Sequence, residues 1–237
     1  MILQNIKNVL RNIGEFLIVS QVELEGVLDA WMHGKPRKGK LYWTDGEFVY
    51  YHDSKVLKRT PRGFALSNQG WVTSTTISVF MTILQVLAGY NYYVFKRGSK
   101  MFIEDKASGK IFEIPTGRDK WIEFTENGAL IEEGLKEYTY EETERETREF
   151  TKKINQILNK ILTQLTLTGD FYELSDLEIP ELGMTFGELF EDYIRPRRKI
   201  YDFYTDRMND FIKTYSDMFK DDLRYAIRKF FETGRLR

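Results

Sequence analysis

A chain of 237 residues, 42% hydrophobic and 30% charged, is long enough for one large or two small folded domains, and this composition excludes a disordered or fibrous class. It has no cysteine, which excludes disulfides, thiolate metal sites and a cysteine nucleophile and fits a reducing compartment. Net charge is only −1, but residues 30–118 carry 14 Lys+Arg against 6 Asp+Glu while residues 119–237 carry 19 against 26, so a basic front precedes an acidic back.

Taken in order, the chain predicts an amphipathic helix from Ile2, Leu3, Ile6, Val9, Leu10 and Ile13, ending at Gly14. Ser20 and Glu23 have the spacing of a capping box, and a second helix follows with Leu24, Val27, Leu28, Trp31 and Met32 on its inner face, ending at Gly34. The period then changes from helical to alternating. Leu41–Trp43 and Phe48–Tyr51 flank Asp45-Gly46, a hairpin signal in which both turn residues are expected at positive φ. Short strands are expected at 54–58 and 63–66.

Thr73 or Ser74 is the expected cap of a central helix that runs to Ala88 and stops at Gly89. Its apolar run, Ile77–Gly89, is too short for the roughly 20 residues of a membrane span and carries Thr82 and Gln85, so it reads as a buried core helix with no membrane partner. Tyr92–Lys96 and Met101–Asp105 form a second hairpin around Arg97-Gly98-Ser99. A strand at 110–114 and a pairing of 121–124 with 129–132 across Asn127-Gly128 complete the predicted sheet. Residues 38–133 thus read as a basic α+β domain, an antiparallel sheet of about five to seven short strands with one central helix. Residues 1–34 form the N-terminal helices and 139–237 a C-terminal helical region.

That last region opens with Thr139 and Glu142 as a capping box. Glu141–Arg145, Glu144–Arg148 and Glu149–Lys153 follow as acid-first pairs at i,i+4. Phe150, Ile154, Ile157, Leu158, Ile161, Leu162 and Leu165 supply its inner face, residues 169–183 read as a connector, and Thr185 with Glu188 caps a short helix. From Pro196 to Thr233 an apolar residue recurs every three or four positions, from Ile200 to Phe230. This is the stripe of one helix roughly 57 Å long. A helix of that length suits a protein partner or a homo-oligomer joined through residues 196–233, or a brace between two halves of the chain.

Candidate chemistry is sparse. The two histidines, His33 and His52, sit at a helix end and after a strand, and no zinc-protease, serine-hydrolase, Walker or dinucleotide-binding motif occurs. Asp202, Asp206, Asp210, Asp217 and Asp221 interleave with lysines as a solvated helix face. The hydroxyls of residues 73–76 read as capping groups, although a helix N-terminus can also hold a phosphate. No catalytic residue, metal site or cofactor is expected.

The basic front is more specific. Lys35, Arg37, Lys38 and Lys40 precede Tyr42 and Trp43. Lys55, Lys58, Arg59 and Arg62 follow the first hairpin, and Lys96, Arg97 and Lys100 sit at the tip of the second, beside Tyr92. Cations beside aromatics on a small sheet suit a nucleic-acid backbone with base stacking; the other reading is that the second aromatic set lies under another helix and the lysines solubilise strand edges. Arg195, Arg197 and Arg198, with Lys199, add a second basic cluster where the helix dipole disfavours cations, which reads either as a contact with an acidic surface or as plain solvent exposure.

The Thr44-Asp45-Gly46 hairpin, the run Gly70–Thr76 opening a helix and the Tyr/Lys-rich strand pair together make residues 38–115 resemble small uncharacterised domains of bacteriophage proteins. The resemblance implies a viral or mobile-element origin and supplies no catalytic residues. With no secretory pattern at the start, the expected location is the host cytoplasm or a virion. The expected function is that of a non-enzymatic viral accessory protein. Its basic aromatic sheet domain would bind nucleic acid or a nucleoprotein complex. The alternative is a structural or interaction subunit, a virion component or an inhibitor of a host protein, docking through the last helix.

Overall fold

The computed structural model describes residues 20–168, 171–195 and 216–233. The expected helix over residues 2–13 lies outside them. The chain divides into two compact units, residues 1–140 and 141–237, each with its own core. The class is α+β.

In the first unit, helix α1 (residues 20–32) precedes five strands, β1 (Arg37–Lys38), β2 (Tyr42–Thr44), β3 (Phe48–Tyr51), β4 (Ser54–Thr60) and β5 (Gly63–Leu66). Helix α2 (Ser74–Ala88) follows, then β6 (Tyr92–Arg97), β7 (Lys100–Asp105), β8 (Ile111–Ile114), β9 (Ile122–Thr125) and β10 (Glu137–Tyr138). All pairings are antiparallel and make two sheets: a six-stranded one in the order β1-β2-β3-β4-β5-β9 and a four-stranded one in the order β10-β8-β7-β6. The sequence implies a single sheet. Two arise because β9 returns to β5 rather than pairing with the strand before it.

Both sheets present one face to a common core. Leu24, Val27, Leu28 and Trp31 of α1 and Val79, Phe80, Ile83 and Leu84 of α2 pack there with Tyr42, Val49, Leu57, Leu66, Val94, Met101 and Ile103. These side chains are nearly all fully buried, each contributing roughly 1.5–3 kcal/mol of apolar transfer. Helix α2 starts as its sequence requires: Thr73 is extended, and its hydroxyl accepts the N–H of Thr76 at 3.2 Å. The turn after β9 presses against the end of α2, and a Cβ on Gly128 would lie 2.6 Å from the Ala88 Cα, so only glycine fits. The expected pairing of 121–124 with 129–132 is present as a tight return with one bridge, Phe124 to Leu130.

Two local expectations change. Ser20 is already helical, and Glu23 Oε1 accepts the N–H groups of Leu41 at 2.7 Å and Tyr42 at 2.9 Å, tying α1 to the start of β2 instead of closing a capping box. At the first hairpin only Gly46 has positive φ, 97°. The Asp45 carboxylate holds the turn by accepting from the N–H groups of Glu47 and Phe48.

In the second unit, α3 (Tyr140–Thr168) starts directly after Thr139. Arg145 pairs with Glu149 at 3.9 Å, while Lys153 lies 4.3 Å from the Phe231 ring rather than serving as partner to Glu149. The predicted connector contains structure: α4 (Phe171–Ser175) and a hairpin of β11 (Glu178–Ile179) with β12 (Met184–Thr185). These elements are too short to show a period, yet Leu174 and Ile179 are fully buried. The Thr185–Glu188 capping box is formed at the start of α5 (Phe186–Leu189), which runs on into a π-turn at Phe190–Ile194. Of the expected long helix, Ser216–Thr233 is present as α6, and residues 196–215 lie outside the described part. Phe219, Leu223 and Ile227 of α6 pack into this unit's own core with Ile157, Ile161 and Phe186. Among the described residues no helix is long and apolar enough to cross a membrane.

Candidate nucleic-acid interface

Side-chain alternation gives the six-stranded sheet a second face, opposite the core. Cross-strand partners share a face, and Lys38 pairs with Trp43, Trp43 with Tyr50, and Tyr50 with Lys55. These four residues form a row across β1, β2, β3 and β4, about 14 Å from end to end at the usual strand spacing. A register shift between Val49 and Tyr50 gives β4 an extra residue, which turns both Lys55 and Lys58 onto this outer face.

The two aromatic rings of the row are fixed in place. Trp43 and Tyr50 stack with centroids 3.6 Å apart and planes 1° from parallel. The Trp43 indole N–H donates to the His52 carbonyl at 2.8 Å, and the Tyr50 hydroxyl donates to Asp45 Oδ2 at 3.0 Å. Burial and this bond to Asp45 push the Tyr50 hydroxyl above its ordinary pKa. For Asp45 slight burial pulls upward, but the N–H groups of Phe48 and Glu47 and the Tyr50 hydroxyl outweigh it. The carboxyl therefore sits below its ordinary value and stays ionised. Lys55 lies 4.1 Å from the Phe48 ring and Lys58 4.3 Å from the Trp121 ring, both on this face.

Not every expected site residue reaches this surface. Tyr42 is 5% exposed, on the core side of β2 and stacked on Tyr51 at 5.1 Å; burial first, then Tyr51 and Glu23, pushes its hydroxyl up to about 12. Tyr92 is likewise a core residue, its hydroxyl accepting the Leu130 N–H at 2.7 Å. Alternation leaves the choice between Tyr42 and Trp43 open, because both neighbours are aromatic; the outward residues are Trp43 and Tyr50.

Several cations are engaged in the fold. Arg37 lies over Gly26 of α1 and donates to its carbonyl at 3.0 Å. Arg59 sits 4.4 Å from the Trp31 ring and donates to the carbonyls of Trp31 and Met32, closing the end of α1. Arg62 pairs with Glu123 at 2.7 Å and Glu133 at 3.6 Å. At the second hairpin Arg97 donates to the Tyr140 hydroxyl at 3.2 Å and stands 5.2 Å from the Phe95 ring. Lys100 meets the Tyr138 hydroxyl at 3.1 Å and Glu113 at 3.4 Å, and Lys96 is half-buried beside them. Arg195 pairs with Glu191 on its own turn at 2.7 Å. Arg197 and Arg198 lie outside the described residues.

The basic front is therefore narrower than the sequence suggests. The acidic stretch that follows it belongs to the same unit, and Glu123, Glu132 and Glu133 neutralise Arg62 and Lys110. Residues 1–140 carry 18 basic and 16 acidic side chains, a net +2, whereas residues 35–62 alone carry 8 against 3. Lys35, Lys38, Lys40 and Lys55 are exposed, and among the described residues none has a carboxylate partner. No protein-family model, curated protein or solved structure matches the chain.

Proposed function

We propose that the outer face of the six-stranded sheet binds nucleic acid, as the working surface of a non-enzymatic accessory protein of the phage kind that residues 38–115 resemble. The observation that supports this reading is the row Lys38, Trp43, Tyr50, Lys55. It sets two ring-bearing residues between two exposed cations, with Lys35 and Lys40 close by in the chain. Lysines at the rim supply point charges for phosphates, and counterion release supplies the affinity.

The test is anisotropy of a labelled single-stranded oligonucleotide against the full chain. With four lysines on phosphates the logarithm of affinity falls against the logarithm of salt with a slope of about −3, roughly a fiftyfold loss between 50 and 200 mM. Replacing Lys35, Lys38, Lys40 and Lys55 by Ala flattens that slope. Absence of binding at 50 mM salt rejects the reading.

A further inference from the structure

We propose that the ligand of this face is a single strand, and that one base bearing an exocyclic amino group seats in the hollow beside Trp43. The inference rests on the nucleic-acid reading above and names its substrate class. The hollow has a volume of about 570 Å³ and is open to solvent; Pro36, Lys38, Trp43, Asp45 and Asp53 are among the residues that border it. Pro36 and Trp43 give it apolar walls; Lys38 and Arg37 also border it, Arg37 already donating to the Gly26 carbonyl. Asp45 and Asp53 bring carboxylates to it.

That mixture separates two kinds of occupant. Asp45 is held ionised by the turn, so a phosphate inside the hollow meets like charge; phosphates belong outside it, on the lysines. A flat neutral ring fits the apolar walls. Asp53 makes no hydrogen bond or ion pair among the described residues and is exposed, so its carboxylate is available to accept from an amino group, as carboxylates do from cytosine N4. Cytosine and adenine carry that donor; thymine offers carbonyl oxygens in its place. A duplex keeps its base faces stacked inside and presents phosphates first, whereas a single strand can turn a base outward onto an aromatic ring. Trp43 needs no rearrangement to receive one, because its N–H bond to His52 and its stack on Tyr50 already fix the ring.

The experiment titrates the full chain, at 50 mM salt, with labelled oligo-dC, oligo-dA and oligo-dT of about twelve nucleotides and with a duplex of equal length. The expected result is single strands tighter than duplex by about tenfold or more, with dC and dA ahead of dT. Trp43→Ala removes the single-strand advantage, lowering affinity at least about fivefold, while Trp43→Phe keeps most of it. Asp53→Asn narrows the gap between dC and dT. Circular dichroism of each variant confirms that the sheet is intact.

Equal, salt-sensitive binding of duplex and single strands overturns this inference and leaves the phosphate-binding reading standing. Binding of no probe overturns both. Trp43-dependent binding of a lysine-rich peptide with no base preference among the oligonucleotides makes the hollow a cation seat and also overturns it.

Discussion

The two sheets of the first unit are built from the same kinds of residue and put them to opposite uses. In the four-stranded sheet the face away from the main core carries a second buried cluster, Phe95, Phe102, Ile111 and Tyr138, with the half-exposed Tyr93 stacked at its edge. Its cations are bound up with that cluster, Arg97 against Phe95 and Tyr140, Lys100 against Tyr138 and Glu113, and Lys136 4.3 Å from the Tyr138 ring. In the six-stranded sheet the corresponding face stays accessible, and among the described residues its cations at Lys38 and Lys55 have no carboxylate partner. A lysine next to an aromatic residue is thus tied to a buried cluster in one sheet and lies on an accessible face in the other. What separates the two cases is whether a buried partner and a carboxylate lie within reach.

The largest effect that sharpens this comparison is on stability. Phe102 is fully buried on the second sheet, so Phe102→Ala should cost about 3–5 kcal/mol, whereas Tyr50→Ala on the outer face of the first should cost about 1 kcal/mol, the value of its stack. Urea midpoints at constant m-value measure both, and equal costs would erase the distinction between the sheets. Next comes Arg59, a cation of the first sheet that serves the fold. Arg59→Ala should cost about 1–2 kcal/mol through loss of its stack on Trp31 and its two carbonyl bonds, while leaving oligonucleotide binding unchanged. Loss of binding in that variant would move Arg59 to the working face.

A smaller effect follows pH. The Asp45 carboxyl is depressed in the fold, so the stability it contributes is complete above its unfolded value of about 4 and is lost as pH falls through its lower folded value. Asp45→Asn should flatten that acid limb in denaturation midpoints measured from pH 6 to pH 2, and an unchanged limb would show that the turn does not depend on the carboxylate. The smallest effect is at Arg62. Its pairs with Glu123 and Glu133 are exposed, so Arg62→Ala should cost about 0.2–1 kcal/mol, and less in high salt. A large, salt-independent cost would mean that the acidic return matters to the sheet in some other way.

Much of the fold can be read from the sequence because the signals are local. Thr73 caps α2 by accepting the N–H of Thr76 three residues on, Thr185 and Glu188 close their box within one turn, and Gly98 turns the second hairpin with its own positive φ. The site was only half legible. Lys35, Lys38, Lys40 and Lys58 are residues that the cation–aromatic pattern singles out, but the same pattern points to Tyr42 and Tyr92, which are core. A strand with aromatics at adjacent positions has no period from which to choose its inner face, and a shift of one residue exchanges the two. The choice falls to α1, whose Glu23 carboxylate fixes the backbone at Leu41 and Tyr42 and whose Leu24 and Leu28 share the core with Tyr42.

By itself, then, the sequence determined most of the longer helices and strands of residues 20–168 and several of their caps and turns, since propensity, capping and turn chemistry act over a few residues. It did not show the short elements α4, β11 and β12. Only the tertiary structure decided that β9 joins β5, that Arg59 closes α1, that the acidic stretch after residue 118 cancels part of the basic front, and that Trp43 and Tyr50 are left facing outward. Each of those outcomes depends on partners far away in the chain. Burial and charge pairing depend on distance in space, and the order of residues does not encode that distance until the strands have paired.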